Sequence, residues 1–546
     1  MNNTAKLRSA LIFLIFCILF GIIIFNLYII QIQQKDFYNN LANQQYKLTI
    51  TSYPSRAAIY DRNRIALTLN KETISAFIEP KSIQDAPALE QFLKSHFPDA
   101  FDRWKTNRTA QFLFIKRNLT NNQIAALQKA DLKDIKLMKE PHRWYPMQSM
   151  AHLIGITDID NKGLFGIEGL FNDQLSGTPS TFSVQKDARA GSLYFAQQLT
   201  DQGNQGTPVT LTIDSNLQFL AYEDLKETVE SFKAKEGAAL VIDPKTGEIL
   251  VMVQYPSFDP NNTTCLDLQA TKNKAVTESY ELGSVMKVFT ALAALEEGCA
   301  TVDEIIDCKN CKVGFVDGFK ISTWKAHDKL SFSEVIQLSN NFGVVDIAKR
   351  LNVKLYSHYK KLGFGNKTEL NWPAEQTGFV NPPNKWSRQS IISLSFGYEV
   401  TATLLQLARA FSVFALGGKM LNPRIIYNKN ANAQLGKQLY KPENIQTMNE
   451  ILEKTVTHGT AHRGAIKGFK VSGKTGTANM VINGEYSTSH NTYTFAGTIE
   501  KGDYQRLIIT FIKEVPNPHS MLYASSVAVP LFEKIAEHCI LNDRAL

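Results

Sequence analysis

The sequence predicts a mixed α/β protein of the α+β kind behind an N-terminal transmembrane helix, and three observations carry that reading. ALIFLIFCILFGIIIFNLYII, residues 10 to 30, is apolar except at Gly21 and Asn26. SRAAIYDRNRIALTLNKETISAFIEP alternates apolar and polar residues around a turn at Arg62, Asn63 and Arg64, as paired strands do. After Val209 the pattern becomes a strand, a long helix capped by Asp214 or Ser215, and then EGAALVIDPKTGEILVMVQYP. Its apolar runs 238–242 and 249–253 flank turn chemistry at Pro244 and Gly247, which reads as a hairpin.

At about 1.5 Å per residue the apolar run spans roughly 30 Å, one bilayer core. A cleaved signal peptide is the rival, but its apolar region would be about 7 to 15 residues before a small-x-small site, which the QIQQKDFY flank lacks. Lys6 and Arg8 precede the run and only Lys35 comes closely after it, so residues 1–9 are expected in the cytoplasm, 10–31 in the membrane and the rest outside. The remainder of the chain holds no second long apolar run, so a single pass is expected. A chain of 546 residues is too long for one core. The stretch 32–204, mixing short strands with helices such as Asn121–Ala130, is expected to be one domain and 205–546 another.

Charge and cysteines narrow the classes. The net +8 comes from 59 basic and 51 acidic residues spread along the chain. Without basic runs this excludes a nucleic-acid tail and leaves mild attraction to anionic surfaces. Cys17 lies in the apolar run; Cys265, Cys299, Cys308, Cys311 and Cys539 lie beyond it. CKNC at Cys308 and Cys311 reads as a structural or local disulfide pair, or as half a zinc site; no second CxxC or paired His stands nearby. No metal and no cofactor are expected.

The chemistry is concentrated in SYELGSVMKVFTALAALEEG, where Ser284 and Lys287 stand three apart at the head of an apolar helix. That spacing puts a hydroxyl beside an amine, nucleophile beside base. S-x-x-K recurs at Ser183/Lys186, Ser322/Lys325 and Ser357/Lys360, so spacing alone does not decide. K-T-G occurs twice, as Lys245-Thr246-Gly247 in the hairpin turn and as Lys474-Thr475-Gly476, with Thr477, in a strand-like run. S-x-N occurs as Ser339-Asn340-Asn341 after an apolar helical stretch and as Ser489-His490-Asn491 in an expected polar loop. Chain order S-x-x-K, S-x-N, K-T-G selects Ser284, Ser339 and Lys474.

With these motifs in this order the sequence resembles the class B penicillin-binding proteins, membrane-anchored peptidoglycan D,D-transpeptidases. PSRAAIYDRN, HRWYPMQSMAHLIG and GLFGIEGLF resemble their N-terminal pedestal; GEILVMVQYPSFDPN, ISLSFGYEVTATLLQLARAFSVFALGG and HGTAHRGA resemble their catalytic domain. Four places depart from the family pattern. Arg56-Ala57-Ala58 stands for the common Arg-Gly, Leu282 for a frequent Pro, GYE at 397–399 for a Gly-rich form, and TELN at Thr368 for a Thr-Gly turn.

The resemblance implies an antiparallel sheet carrying K-T-G between helical layers in 205–546, the transpeptidase domain. It makes 32–204 a dimerisation-like, non-catalytic pedestal, a platform for a SEDS-family glycan polymerase and other wall-assembly proteins. The substrates would be peptidoglycan stem peptides ending in D-Ala-D-Ala, the inhibitors β-lactams, and the location the cytoplasmic (inner) membrane with the catalytic domain outside. No glycosyltransferase segment is found, and a pedestal without long insertions favours division over elongation.

Peptide exchange requires a nucleophile that holds the donor while one amine leaves and another enters, and Ser284 fits. Lys287 can take its proton only when neutral, so burial and a neighbouring cation such as Lys474 must lower a pKa near about 10.4. Ser339 is suited to relay a proton and the Asn341 amide to hold the donor backbone. Thr475, Gly476 and Thr477 are expected to line the substrate site, the two hydroxyls gripping the terminal carboxylate. By resemblance, the backbone N–H groups of Ser284 and Thr477 would form the oxyanion hole. A D,D-carboxypeptidase, a β-lactam-binding sensor and a catalytically silent scaffold are the competing readings.

Overall fold

The computed structural model describes residues 3–186, 194–263, 266–429, 435–482, 485–516 and 522–543. Contacts divide the chain into two compact units, residues 1–57 with 176–207, and residues 58–175 with 208–546.

In the first unit, helix α1 (Asn3–Tyr28) is apolar all round its waist, as a helix facing lipid must be. Residues Lys6–Gln33 are long and apolar enough to cross a membrane, and their side chains are unburied. A second helix, α2 (Lys35–Tyr46), leads into the strand Lys47–Ser52, which pairs antiparallel with Ser180–Lys186; that strand pairs in turn with Tyr194–Asp201. Within this unit Thr178 and Asn204 exchange backbone hydrogen bonds of 2.9 and 3.1 Å.

The second unit opens with a short parallel pair, Ile59–Tyr60 beside Val209–Thr210. Asp61, at the turn after the first of these strands, accepts hydrogen bonds from the backbone of Asn63 and Ile65, each 2.8 Å, and from the Ser215 hydroxyl at 2.6 Å. That carboxylate ties YDRN to the helix of 215 onward, across a sequence separation of 154. Beyond it, Leu69–Ile78 lies between Leu113–Lys116 and Ile135–Trp144 in an antiparallel sheet. Helices Ala86–His96, Pro98–Thr106 and Asn121–Ala130 bury Leu89, Phe92, Trp104 and Leu127 in one cluster with Ile115 and Ile78. The last helix starts with the reciprocal cap of Thr120 and Gln123. HRW and GIEG meet in a buried ion pair, Arg143 Nε donating to Glu168 Oε1 at 2.6 Å. Neither group tolerates loss of the other, since a buried charge left alone is costly.

The largest sheet has five antiparallel strands: β1 (Glu236–Asp243), β2 (Glu248–Tyr255), β3 (Lys470–Ile482), β4 (Glu485–Lys501) and β5 (Tyr504–Pro516), in spatial order β2-β1-β5-β4-β3. The expected hairpin is β1 and β2, buried along almost their whole length. Helices α3 (Ser215–Ser231, capped by Asp214) and, at the end of the chain, Ala524–Asn542 cover one face, with Leu225, Val229, Phe495, Phe532 and Ile535 in one core. Leu404–Ala415 packs on β1, β4 and β5 from the remaining layer. Strand β3 is an edge: β4 pairs with one side of it, and no strand pairs with the other among the described residues.

Candidate active site

Ser284 lies in a 3₁₀ turn, Gly283–Met286, that runs directly into helix α4 (Lys287–Glu296). The sequence expectation of one continuous helix is therefore modified at its first turn. Tighter winding brings residues three apart nearly into line. Helix α4 is fixed by burial, with Val288, Phe289, Ala291 and Leu292 fully enclosed, and Lys287 is 0% exposed among them. Among the described residues the partly exposed Ser284 hydroxyl makes no hydrogen bond. Lys287 Nζ instead donates to the Ser339 carbonyl at 2.7 Å, to Ser339 Oγ at 3.1 Å and to Asn341 Oδ1.

Ser339 stands between two helices. Helix α5 (Phe332–Gln337), started by the reciprocal cap of Ser331 and Glu334, ends before it, and α6 (Asn341–Leu351) starts after Asn340, whose side chain accepts from Gly343 N at 3.0 Å. Ser339 has φ 55°, left-handed, an uncommon and costly state for a serine. The reversal sends both its carbonyl and its hydroxyl to Lys287. Asn341 Nδ2 donates to the Ser322 carbonyl at 2.6 Å, which fixes the amide plane.

The second K-T-G is on the open edge of β3. Lys474, also 0% exposed, donates to Ser339 Oγ at 3.1 Å and to the Thr475 carbonyl at 3.0 Å. Thr475 Oγ1 lies 3.0 Å from Thr460 Oγ1, and Thr477 Oγ1 accepts from Ala524 N at 3.4 Å. Gly476 faces the serine turn so closely that a Cβ there would come 2.6 Å from the Leu282 carbonyl oxygen and 2.6 Å from Val285 Cγ2. The Thr477 carbonyl faces Gly283, 2.7 Å from where its Cβ would be. In an antiparallel strand the N–H of a residue leaves by the same edge as its C=O, so the Thr477 N–H is on the serine's side too.

The GYE segment closes the turn from behind. A Cβ on Gly397 would lie 2.2 Å from the Gly283 carbonyl oxygen, so the one glycine retained is the one the contact requires. Glu399 is left-handed at φ 57°, held by its N–H on Glu281 Oε1 at 3.1 Å and by the Asn381 amide on its carboxylate. In TELN, Thr368 is buried and donates through N–H and hydroxyl to Glu375.

Burial sets the electrostatics. It pushes the Lys287 amine well below its ordinary pKa, and the charge of Lys474 adds to the effect. Burial alone lowers Lys474 to about 7. Two ammonium groups on one hydroxyl repel each other, which favours a neutral amine on one of them while the other is charged.

Of the remaining motif copies, Ser322 reaches the site through its carbonyl, which accepts from Asn341 Nδ2, and the others lie elsewhere. Lys245-Thr246-Gly247 is in the β1–β2 turn, where Lys245 donates to the Asp503 carbonyl at 2.6 Å. Ser489-His490-Asn491 is within β4 and not in a polar loop, because β3 and β4 continue as one long ladder through the pair Asn479–Asn491. Ser183/Lys186 and Ser357/Lys360 lie on the strand Ser180–Lys186 and the helix Lys354–Lys361, and Ser322 ends the strand Phe319–Ser322. Cys308 and Cys311 are free thiols on either side of a turn, and burial pushes the Cys308 thiol up to about 11. Cys265 lies outside the described residues. Sequence reasoning missed Thr460, Glu281, Tyr398 and the Ser322 carbonyl as site neighbours; Thr460 and Tyr398 stand in segments that carried the family resemblance.

A serine and two buried lysines meeting at an edge strand define a serine acyltransferase of the penicillin-recognising fold. Residues 237–537 match the penicillin binding protein transpeptidase domain, and residues 51–211 the penicillin-binding protein dimerisation domain. The chain is 31% identical over 545 residues to a probable peptidoglycan D,D-transpeptidase PenA of Neisseria meningitidis, covering 97% of this chain and 92% of that one. It is 32% identical to the peptidoglycan D,D-transpeptidase FtsI of Buchnera aphidicola, over 88% and 85% of the two chains. The fold is similar to that of penicillin binding protein 3 from Mycobacterium tuberculosis complexed with aztreonam, with TM-score 0.69, 22% identity, and 90% and 97% coverage. The chain belongs to the class B penicillin-binding proteins and is a peptidoglycan D,D-transpeptidase.

Proposed function

We propose that Ser284 is the acylated residue, and the observation that carries this is the single Ser339 hydroxyl shared by Lys287 and Lys474 beside the serine turn. Neutral Lys287 takes the Ser284 proton as Oγ attacks the penultimate D-Ala carbonyl. The oxyanion is held by the N–H groups of Ser284 and Thr477. Ser339 passes a proton to the departing D-Ala amine as the C–N bond breaks, leaving the acyl-enzyme. The acceptor amine of a second stem peptide then attacks, loses its proton by the reverse path and releases Ser284. Asn341 holds the donor backbone, Lys474 supplies positive field, and Thr475, Gly476 and Thr477 seat the terminal carboxylate.

In this reading residues 1–9 are cytoplasmic, 10–31 cross the inner membrane, 32–204 form the pedestal and 205–546 the outward transpeptidase domain. The pedestal serves a SEDS-family glycan polymerase, and likeness to FtsI with a pedestal free of long insertions supports septal wall synthesis. Fluorescent penicillin labelling of the full chain in detergent, wild type against Ser284→Ala, tests the core of it. An adduct on the Ser284 peptide by mass spectrometry is the expected result; an adduct elsewhere, or none from folded protein, overturns it. Adding stem peptides with an amine acceptor separates cross-linking from hydrolysis to a carboxypeptidase product.

A further inference from the structure

Tyr398 occupies a position that neither motif nor family match assigns. Its ring packs edge-on against Phe396 and Tyr486, with centroids 5.7 and 5.0 Å apart, and its hydroxyl accepts a hydrogen bond from the Asn479 backbone N–H at 3.2 Å. Tyr486 in turn donates to the carboxylate of Glu281, three residues before Ser284. Backbone contacts on both sides place the tyrosine: Gly397 is seated on the Gly283 carbonyl, Glu399 is bound to Glu281, and Asn381 N donates to the Glu399 carbonyl at 3.0 Å.

Asn479 is two residues beyond Thr477 on β3, so its N–H leaves by the same open edge. A donor peptide laid antiparallel along that edge, with the acylated residue opposite Thr477, brings the carbonyl of the residue two positions earlier to the Asn479 N–H. The Tyr398 hydroxyl already holds that hydrogen. We propose that Tyr398 is a register stop for the donor peptide, a specificity-determining residue that ends main-chain pairing after the acylated position. Longer pairing must first displace it. This rests on the acyl-enzyme reading above, with the donor strand on β3.

The test compares D-alanine release by the full chain in detergent from two donors. One is N-acetyl-D-Ala-D-Ala, too short to reach Asn479; the other is an N-acetylated tetrapeptide with two residues before D-Ala-D-Ala. Tyr398→Phe keeps the ring and frees the N–H, so the ratio of kcat/KM for the long to the short donor should rise about fivefold, the worth of one net hydrogen bond. Tyr398→Leu, which also removes the ring, should move the ratio the same way. An unchanged or lowered ratio overturns the proposal, as does loss of both donors in Tyr398→Phe, which would make the hydroxyl a support of the cleft. Wild-type release from the short donor, with the adduct on Ser284, tests the underlying reading separately. A silent wild type sinks that reading, whereas an active wild type with a fixed ratio sinks only the register stop.

Discussion

Lys287 and Lys474, 187 positions apart in the chain, direct their amines to one oxygen, Ser339 Oγ, each at 3.1 Å. A hydroxyl that accepts from both has its own hydrogen left to direct away from the two amines. The arrangement makes the protonation of one lysine depend on that of the other.

Acylation should trace a bell in pH. Its acid limb is the loss of the Lys287 proton, set well below the ordinary lysine range, and its alkaline limb is the discharge of Lys474 at about 7. Stopped-flow acylation of wild type and Lys474→Arg checks this: the guanidinium does not titrate, so the alkaline limb should disappear from the variant.

Lys287→Met should stabilise the fold while slowing acylation. The folded pKa lies below the unfolded one, so the unfolded chain binds the extra proton and stability rises with pH up to about 10.4. Removing the amine should add about 1–4 kcal/mol near neutrality, by analogy with other buried charges replaced by apolar groups. The gain in melting temperature should be larger at pH 6 than at pH 9. Acylation should fall by about 10²–10⁴.

Ser339→Ala keeps the left-handed backbone and loses the shared acceptor. Acylation should drop by about 10²–10⁴ with the circular dichroism spectrum intact. Ser339→Gly removes the backbone strain as well, and should melt above the alanine variant by about 1 kcal/mol of stability without regaining rate.

Gly476→Ala places a methyl against Leu282 O and Val285 Cγ2, both 2.6 Å away. The serine turn must move, so destabilisation of about 1–3 kcal/mol and a loss of acylation of at least about 10²-fold are expected. A chemical denaturation curve and penicillin labelling measure the two.

Much of this was legible in the sequence because local chemistry and tertiary demand agree. Thr120 with Gln123 fixes the start of Asn121–Ala130, and Pro244 with Gly247 marks the turn between β1 and β2. Chain order separated the K-T-G of β3 from that of the turn. Less legible was anything decided by distant partners. The left-handed state of Ser339 comes from where α5 and α6 must pack, and no local signal marks it. The strand identity of 489–491 is imposed by β3 and β5, against a locally polar composition. The direction of Lys287, toward Ser339 and not to the Ser284 hydroxyl, depends on a segment 52 residues away.

Main chain, on three sides, encloses the turn that carries Ser284: Gly476 in front, Gly397 behind, and the Thr477 carbonyl beside Gly283. Peptide groups cannot be exchanged by a codon change. A side chain added at Gly476 or Gly397 must displace that main chain, so a change at either position moves the turn itself and with it the serine.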